Sequence, residues 1–140
     1  MSTDENKDIV RRVVDAGNAG NVSAFRALFA DDFVHHDPAI RNLSGFLQFL
    51  GAVHAGVPDG HTTIEDLVAE GNRVSKRWTL RGTQTGALLG IPPTNTQIAL
   101  QGISIYGIDG GLVKEIWWVT DTLGLLQQLG ALPQPEQADV

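Results

Sequence analysis

The chain has 140 residues and a mass of 15.0 kDa, the size of one ordinary domain with a real core. Hydrophobic residues at 42% and charged residues at 19% describe a folded globular protein, and no apolar run is long enough to span a membrane. A net charge of −6 and a pI near 5.0 argue against a nucleic-acid partner, and the absence of cysteine excludes disulfides, thiolate nucleophiles and Cys-ligated metal centres.

The opening MSTDENKDIVRR is polar and has no apolar core of the signal-peptide kind, so the reading is a frayed start and a cytoplasmic protein. Ile9, Val10, Val13 and Val14 then recur at helical spacing up to a break at Gly17 to Gly20. Asn21 to Ser23 can cap a second short helix with Phe25, Leu28 and Phe29 facing inward, which makes an αα-hairpin. The stretch FVHHDPAI follows. Pro38 biases Asp37 away from helix, so His35 and His36 are expected on an irregular connection, a place where function often sits. Ser44 opens a third helix with Phe46, Leu47, Phe49, Leu50 and Val53 on a broad apolar face, ending near Pro58.

From His61 the period changes to that of strands. Runs over 62–69 and 73–83 are joined by Glu70-Gly71-Asn72, and runs over 97–108 and 113–120 by Asp109-Gly110-Gly111, predicting a four-stranded antiparallel meander. Between the hairpins lies GTQTGALLGIPPTNT, long enough for a lid or rim. The last strand carries Trp117 and Trp118 and ends at Asp121, after which Leu123, Leu125, Leu126 and Leu129 mark a short apolar helix stopped by Gly130 and Pro133. Residues 132–140 read as a polar tail. Helices first and strands after predict an α+β domain over 1–140 with the helices on one face of the sheet.

The segments AEGNRVSKRWTLRGTQTGALLGIPPTNTQI and IDGGLVKEIWWVTDTLGLLQQLG resemble the SnoaL-like polyketide cyclase and ester cyclase family. The specific parts are Glu70-Gly71, Arg77-Trp78-Thr79, Gly82-Thr83, Gly86, Gly90-Ile91-Pro92-Pro93-Thr94 and Gln128-Leu129-Gly130, with FVHHDP matching the family's histidine-bearing turn after helix two. The resemblance implies the NTF2-like fold, a cone-shaped barrel in which N-terminal helices pack in a strongly curved antiparallel sheet. It also implies an apolar pocket for a small hydrophobic substrate, and a homodimer or higher homo-oligomer. Two departures fall at sensitive positions. The aldol cyclases of the family carry their catalytic aspartate where this chain has Trp118, and many relatives have histidine at Gln84 and glycine at Asn95.

For an aldol closure or an isomerisation, a base must remove a proton flanked by carbonyls while a donor steadies the enolate. Asp121, beside two indoles, and His36 are the candidates for acid–base work. Asp121 is equally suited to cap the helix it precedes, and either histidine to bonding the turn at Asp37-Pro38. His35, Arg77, Trp78, Trp117 and Trp118 are candidate substrate-binding residues, each with a packing or surface reading beside it. Arg77 and Trp78 must point to opposite faces of a regular strand, and Trp118 and Asp121 have opposite parity. His54 and His61 read as ordinary surface groups. Adjacent side chains diverge at His35-His36-Asp37, so no metal is expected there, and because one tuned carboxylate or histidine could suffice for the chemistry, no cofactor is expected. The expectation is a cofactor-independent cyclase or isomerase acting on a hydrophobic carbonyl compound. The alternatives are a non-catalytic binder of small hydrophobic ligands, or a hydroxylase or epoxide hydrolase-like enzyme on the same fold.

Overall fold

The computed structural model describes residues 1–133, so the expected tail lies outside the described residues from position 134 onward. Helix α1 (Thr3–Ala19) starts at once, ahead of its apolar periodicity, because Ser2 and Glu5 form a capping box. The Ser2 hydroxyl accepts from the Glu5 N–H at 3.1 Å, and the Glu5 carboxylate accepts from the Ser2 N–H at 3.2 Å. The helix ends on Gly20 at φ 65°, a left-handed conformation that glycine adopts without steric penalty. Helix α2 (Val22–Arg26), capped by Asn21, is shorter than expected. Helix α3 (Leu43–Gly56) is capped by Asn42, and helix α4 (Thr122–Gln128) by Asp121.

Five strands follow from the chain: β1 (Phe29–His35), β2 (His61–Glu70), β3 (Arg73–Thr83), β4 (Gln97–Asp109) and β5 (Leu112–Thr120). Their order in the sheet is β1-β5-β4-β3-β2. β2 to β5 form the expected antiparallel meander, but β1 corrects the expectation of an all-antiparallel sheet. Phe29 begins a strand instead of closing a helix, and FVH belongs to that strand, which runs parallel to β5. The physical reason is the free edge of β5, whose backbone groups need partners. Val113 N–H donates to the Leu28 carbonyl at 2.8 Å, and His36 N–H donates to the Ile116 carbonyl at 2.9 Å. Asp31 and Asp32, together with a register shift between Phe29 and Val34, hide the alternation that would mark a strand. The sheet is thus five-stranded, mixed and curved, with further register shifts at Ile64/Asp66 and Gly107/Ile108.

Alternation along the strands sorts the side chains. Val74, Lys76 and Trp78 of β3, Ile98, Ser104, Tyr106 and Ile108 of β4, and Val113 and Ile116 of β5 are buried on the concave face. There they meet Ile9, Val10 and Val13 of α1, Phe25 of α2, Phe29 and Phe33 of β1 and Phe46 of α3 in one core. Phe25, Phe29, Phe33 and Phe46 form a ring cluster with centroids 4.7–6.2 Å apart. A smaller cluster of Val57, Leu88, Ile98, Leu125 and Leu129 seats α4 and the long loop against the other end of the sheet. Within that loop Gln84 is fully buried, its amide donating to the Ile91 and Pro92 carbonyls and its oxygen accepting from Thr94. Asn95 sits at φ 56°, the left-handed region that favours glycine and that asparagine tolerates.

Candidate functional site

The concave face and the helices line a cavity of about 310 Å³, with walls from Val13, Phe25, Phe46, Phe49, Leu50, Leu80, Leu100 and Ile116. That volume is at the small end of the range for ligand sites. A shallower depression of about 530 Å³, lined by Asp59, Arg81, Thr83, Gln97 and Gln128, opens broadly to solvent and lacks such apolar walls. The inner cavity is therefore the candidate site. Its polar lining groups include Asp37, Lys76, Ser104, Tyr106 and the Trp118 indole, with Asn18, His54, Thr62, Thr120 and Thr122 also on the lining and Trp78 forming a wall.

Trp78 stands directly opposite Gly102 in the β3–β4 register, and a Cβ at Gly102 would collide with the indole. Glycine thus lets Trp78 lie flat against the sheet, where its Nε1–H donates to Ser104 Oγ at 2.9 Å. Trp118 enters from β5, its ring 6.2 Å from that of Trp78 and 5.7 Å from Phe46. Its Nε1–H donates to Asp37 Oδ2 at 3.2 Å. The side chain that occupies the aldol cyclases' acid position is thereby bonded to a carboxylate from another part of the chain. Asp37 also accepts from the Ala39 N–H at 2.9 Å, and that bond first, then the indole, holds its carboxyl below the usual aspartate range despite partial burial.

His35 lies behind this pair, 2% exposed, with its ring 4.7 Å from Trp118 and 5.0 Å from Phe46. Its Nδ1 accepts from the Asp37 N–H at 3.1 Å, which assigns the ring proton to Nε2. Burial pushes the imidazole down to about 4, overriding the attraction of the Asp37 carboxylate, so His35 is neutral at pH 7. It orients the Asp37 turn and does not line the cavity.

Lys76 is the group that sequence reasoning missed. It sits between Val74 and Trp78 on the inward face of β3, 7% exposed, with Nζ 5.7 Å from the Trp78 ring centroid and 5.1 Å from that of Tyr106. Among the described residues no carboxylate pairs with it, and burial alone lowers its pKa to about 7. Burial raises the Tyr106 phenol above its ordinary value, leaving it a protonated donor. The available signal was parity, since residues 74, 76, 78 and 80 share one face of a strand.

The other expected site residues lie elsewhere. Asp121, a candidate both for base and for cap, has an exposed carboxylate that accepts from the Gly124 N–H at 2.9 Å and caps α4. Opposite parity from Trp118, with the strand ending at Thr120, directs it outward. His36 is likewise on the outer side, stacked on Trp117 at 4.4 Å and 2° and 3.3 Å from Glu115. Arg73 lies 4.5 Å from the centroid of the same indole. Arg77 also points outward, bonded to Asp66 at 2.6 Å. Exposed His54 stands at the cavity mouth, and His61 lies beside Asn18. No three His, Asp or Glu side chains among the described residues converge as a metal site would require.

A strongly bent sheet closed by helices around an apolar cavity is the NTF2-like α+β architecture. The family model for the SnoaL-like polyketide cyclase matches residues 7–129, and the chain belongs to that family. TsrD from Streptomyces laurentii is similar at 30% identity, over 94% of this chain and 99% of that one, with a TM-score of 0.86. IdmH from Streptomyces antibioticus, a candidate polyketide cyclase, matches at 28% identity over 89% and 98% with a TM-score of 0.82. AclR from Streptomyces galilaeus, a candidate hydroxylase, matches at 25% identity over 97% and 87% with a TM-score of 0.89. No curated protein matches the sequence. No helix among the described residues is long and apolar enough to cross a membrane.

Proposed function

We propose that the protein is a cofactor-independent cyclase or isomerase that acts on a polyketide-like or other hydrophobic carbonyl compound within the inner cavity. The observation that carries this reading is that a carboxylate, an amine and a phenol, from Asp37, Lys76 and Tyr106, line one mainly apolar cavity. Removing a proton next to a carbonyl leaves an enolate, whose oxygen needs donors in a dry environment. Protonated Lys76 and the Tyr106 hydroxyl supply those donors, and Asp37, ionised at neutral pH, supplies a weak base suited to an acidic C–H between two carbonyls. Trp78, Trp118 and Phe46 give flat surfaces for a planar substrate.

The test is incubation with a panel of aromatic polyketide ketones, followed by liquid chromatography with mass spectrometry, which separates isomers of equal mass. Isomerised product, or product lighter by one water, supports the reading, and Asp37→Asn removes it. Product heavier by one oxygen would move the protein to the hydroxylase reading that likeness to AclR supports. Binding without turnover would leave a ligand-binding protein. The outer face of β4 and β5 exposes Ile103, Ile105 and Val119 beside Trp117, which supports pairing of two copies; sedimentation as a monomer at micromolar concentration would remove that part.

A further inference from the structure

Lys76 is set apart from the chain's other lysines, Lys7 and Lys114, by its surroundings. Lys114 is on the surface and bonded to Asp32 at 2.8 Å, and Lys7 lies on α1 away from the cavity lining. Lys76 instead lines the cavity with aromatic rings of Trp78 and Tyr106 beside its Nζ, and among the described residues no carboxylate pairs with it to keep it charged. We propose that Lys76 binds the ligand covalently, as a Schiff base between its Nζ and an aldehyde or ketone carbon of a hydrophobic carbonyl compound. This deepens the reading above and rests on it for the class of ligand.

The cavity lining supplies a group for each stage of the reaction. The neutral amine forms readily here, because burial has lowered the pKa of Lys76 to about 7, against a usual value of 10.5. Its lone pair attacks the carbonyl carbon, a C–N bond forms, and the C–O π electrons move to oxygen, which takes up a proton as the nitrogen releases one. The carbinolamine so formed loses its hydroxyl, protonated, as water while the nitrogen lone pair closes the C=N bond. Tyr106, held in its protonated form by burial, lines the cavity and is the proton donor at hand for that oxygen. Apolar walls disfavour the water that would reverse the step. Protonated, the imine is a stronger electron sink than the carbonyl it replaces, so the neighbouring C–H becomes more acidic.

The full chain is incubated with 2-naphthaldehyde at neutral pH, with and without sodium cyanoborohydride, and followed by intact mass and peptide mapping. Binding is read in parallel from quenching of tryptophan fluorescence. The expected result is one reduced adduct, mapped to Lys76 and formed at least about tenfold faster than any on Lys7, Lys114 or the N-terminal amine. Its rate should rise with pH through a midpoint near 7, below the usual lysine value of about 10.4. Lys76→Arg should keep the far-ultraviolet circular dichroism but give no adduct, because a guanidinium is not a nucleophilic amine. Quenching without an adduct on Lys76 would overturn the Schiff base and leave the proposed function standing. Label confined to Lys7, Lys114 or the N-terminus in the folded protein would overturn it too. Neither quenching nor adduct with any aromatic aldehyde or ketone tested would overturn both.

Discussion

Three pairs of sequence neighbours divide between the two faces of the curved sheet: His35 and His36, Lys76 and Arg77, Trp118 and Trp117. The first of each pair lies on or behind the concave face, buried or half-buried, and its polar atoms are desolvated. The second lies on the convex face, where Arg77 pairs with Asp66 and His36 stacks on Trp117 beside Glu115. Composition is nearly the same on both sides, yet Lys76 and His35 are strongly shifted from their ordinary protonation. The lesson is that the chemistry here is conferred by facing and not by residue type. A cation in water keeps its charge cheaply, whereas the same cation against indole and phenol rings has lost most of its hydration.

The largest contrast is expected in packing. Phe46→Ala removes a ring that touches four other aromatic side chains of the core and the Trp118 indole, and should cost about 3–5 kcal/mol in denaturant unfolding. On the outer face, Trp117→Ala should cost under about 1 kcal/mol, and an equal loss at both would end the distinction between faces.

Next comes acid. His35 is buried as the neutral ring with a pKa near 4, below its unfolded value of about 6.5, so its contribution is complete above pH 6.5. As pH falls from 6.5 to 4 the unfolded chain takes up a proton that the folded one refuses, and stability should drop by up to about 3 kcal/mol before levelling off. Asp37 favours the charged ring and His36 opposes it, and both are included in that net direction. Thermal melts of His35→Gln should be flatter across this window, and an unchanged slope would assign the acid response elsewhere.

Lys76 should behave in the opposite way to an ordinary core residue. Its folded pKa of about 7 lies below the unfolded value near 10.5, so its stabilising balance is complete above pH 10.5 and declines as pH falls toward 7. At pH 7 the buried amine is therefore a net cost, and Lys76→Met should raise stability by about 1–3 kcal/mol. Arg77→Met should stay within about 0.5 kcal/mol of the parent. A Lys76→Met protein that melts lower would show that the cavity hydrates the ammonium.

The smallest effect belongs to Asp121. Asp121→Ala should cost about 0.5–2 kcal/mol through loss of the cap of α4, while Asp121→Asn caps about as well. Turnover should be retained in Asp121→Asn, because the carboxylate faces solvent. Loss of turnover in a well-folded Asp121→Asn protein would return the base role to this residue.

How much of this was legible depends on how local the determinant is. The period change at His61, the capping of α4 by Asp121 and the alternation of β3 depend on residues within a few positions of one another, and each is written in the chain. Parity placed Trp78 and Arg77 on opposite faces, and the structure has them so. The same parity held the position of Lys76, but a lone lysine in a strand suggests a solvated face until the partner strand is known. By itself, then, the sequence determined the α+β class, the meander and the family, and it marked three tryptophans, of which Trp78 and Trp118 line the cavity. Only the tertiary structure decided that β1 runs parallel to β5, that Trp118 reaches Asp37 across 81 positions of chain, and that Lys76 is closed in by Tyr106 from the neighbouring strand. Those three facts depend on contacts between segments far apart in sequence, whose formation is set by the total burial and hydrogen bonding of the whole sheet, a quantity that no local pattern encodes.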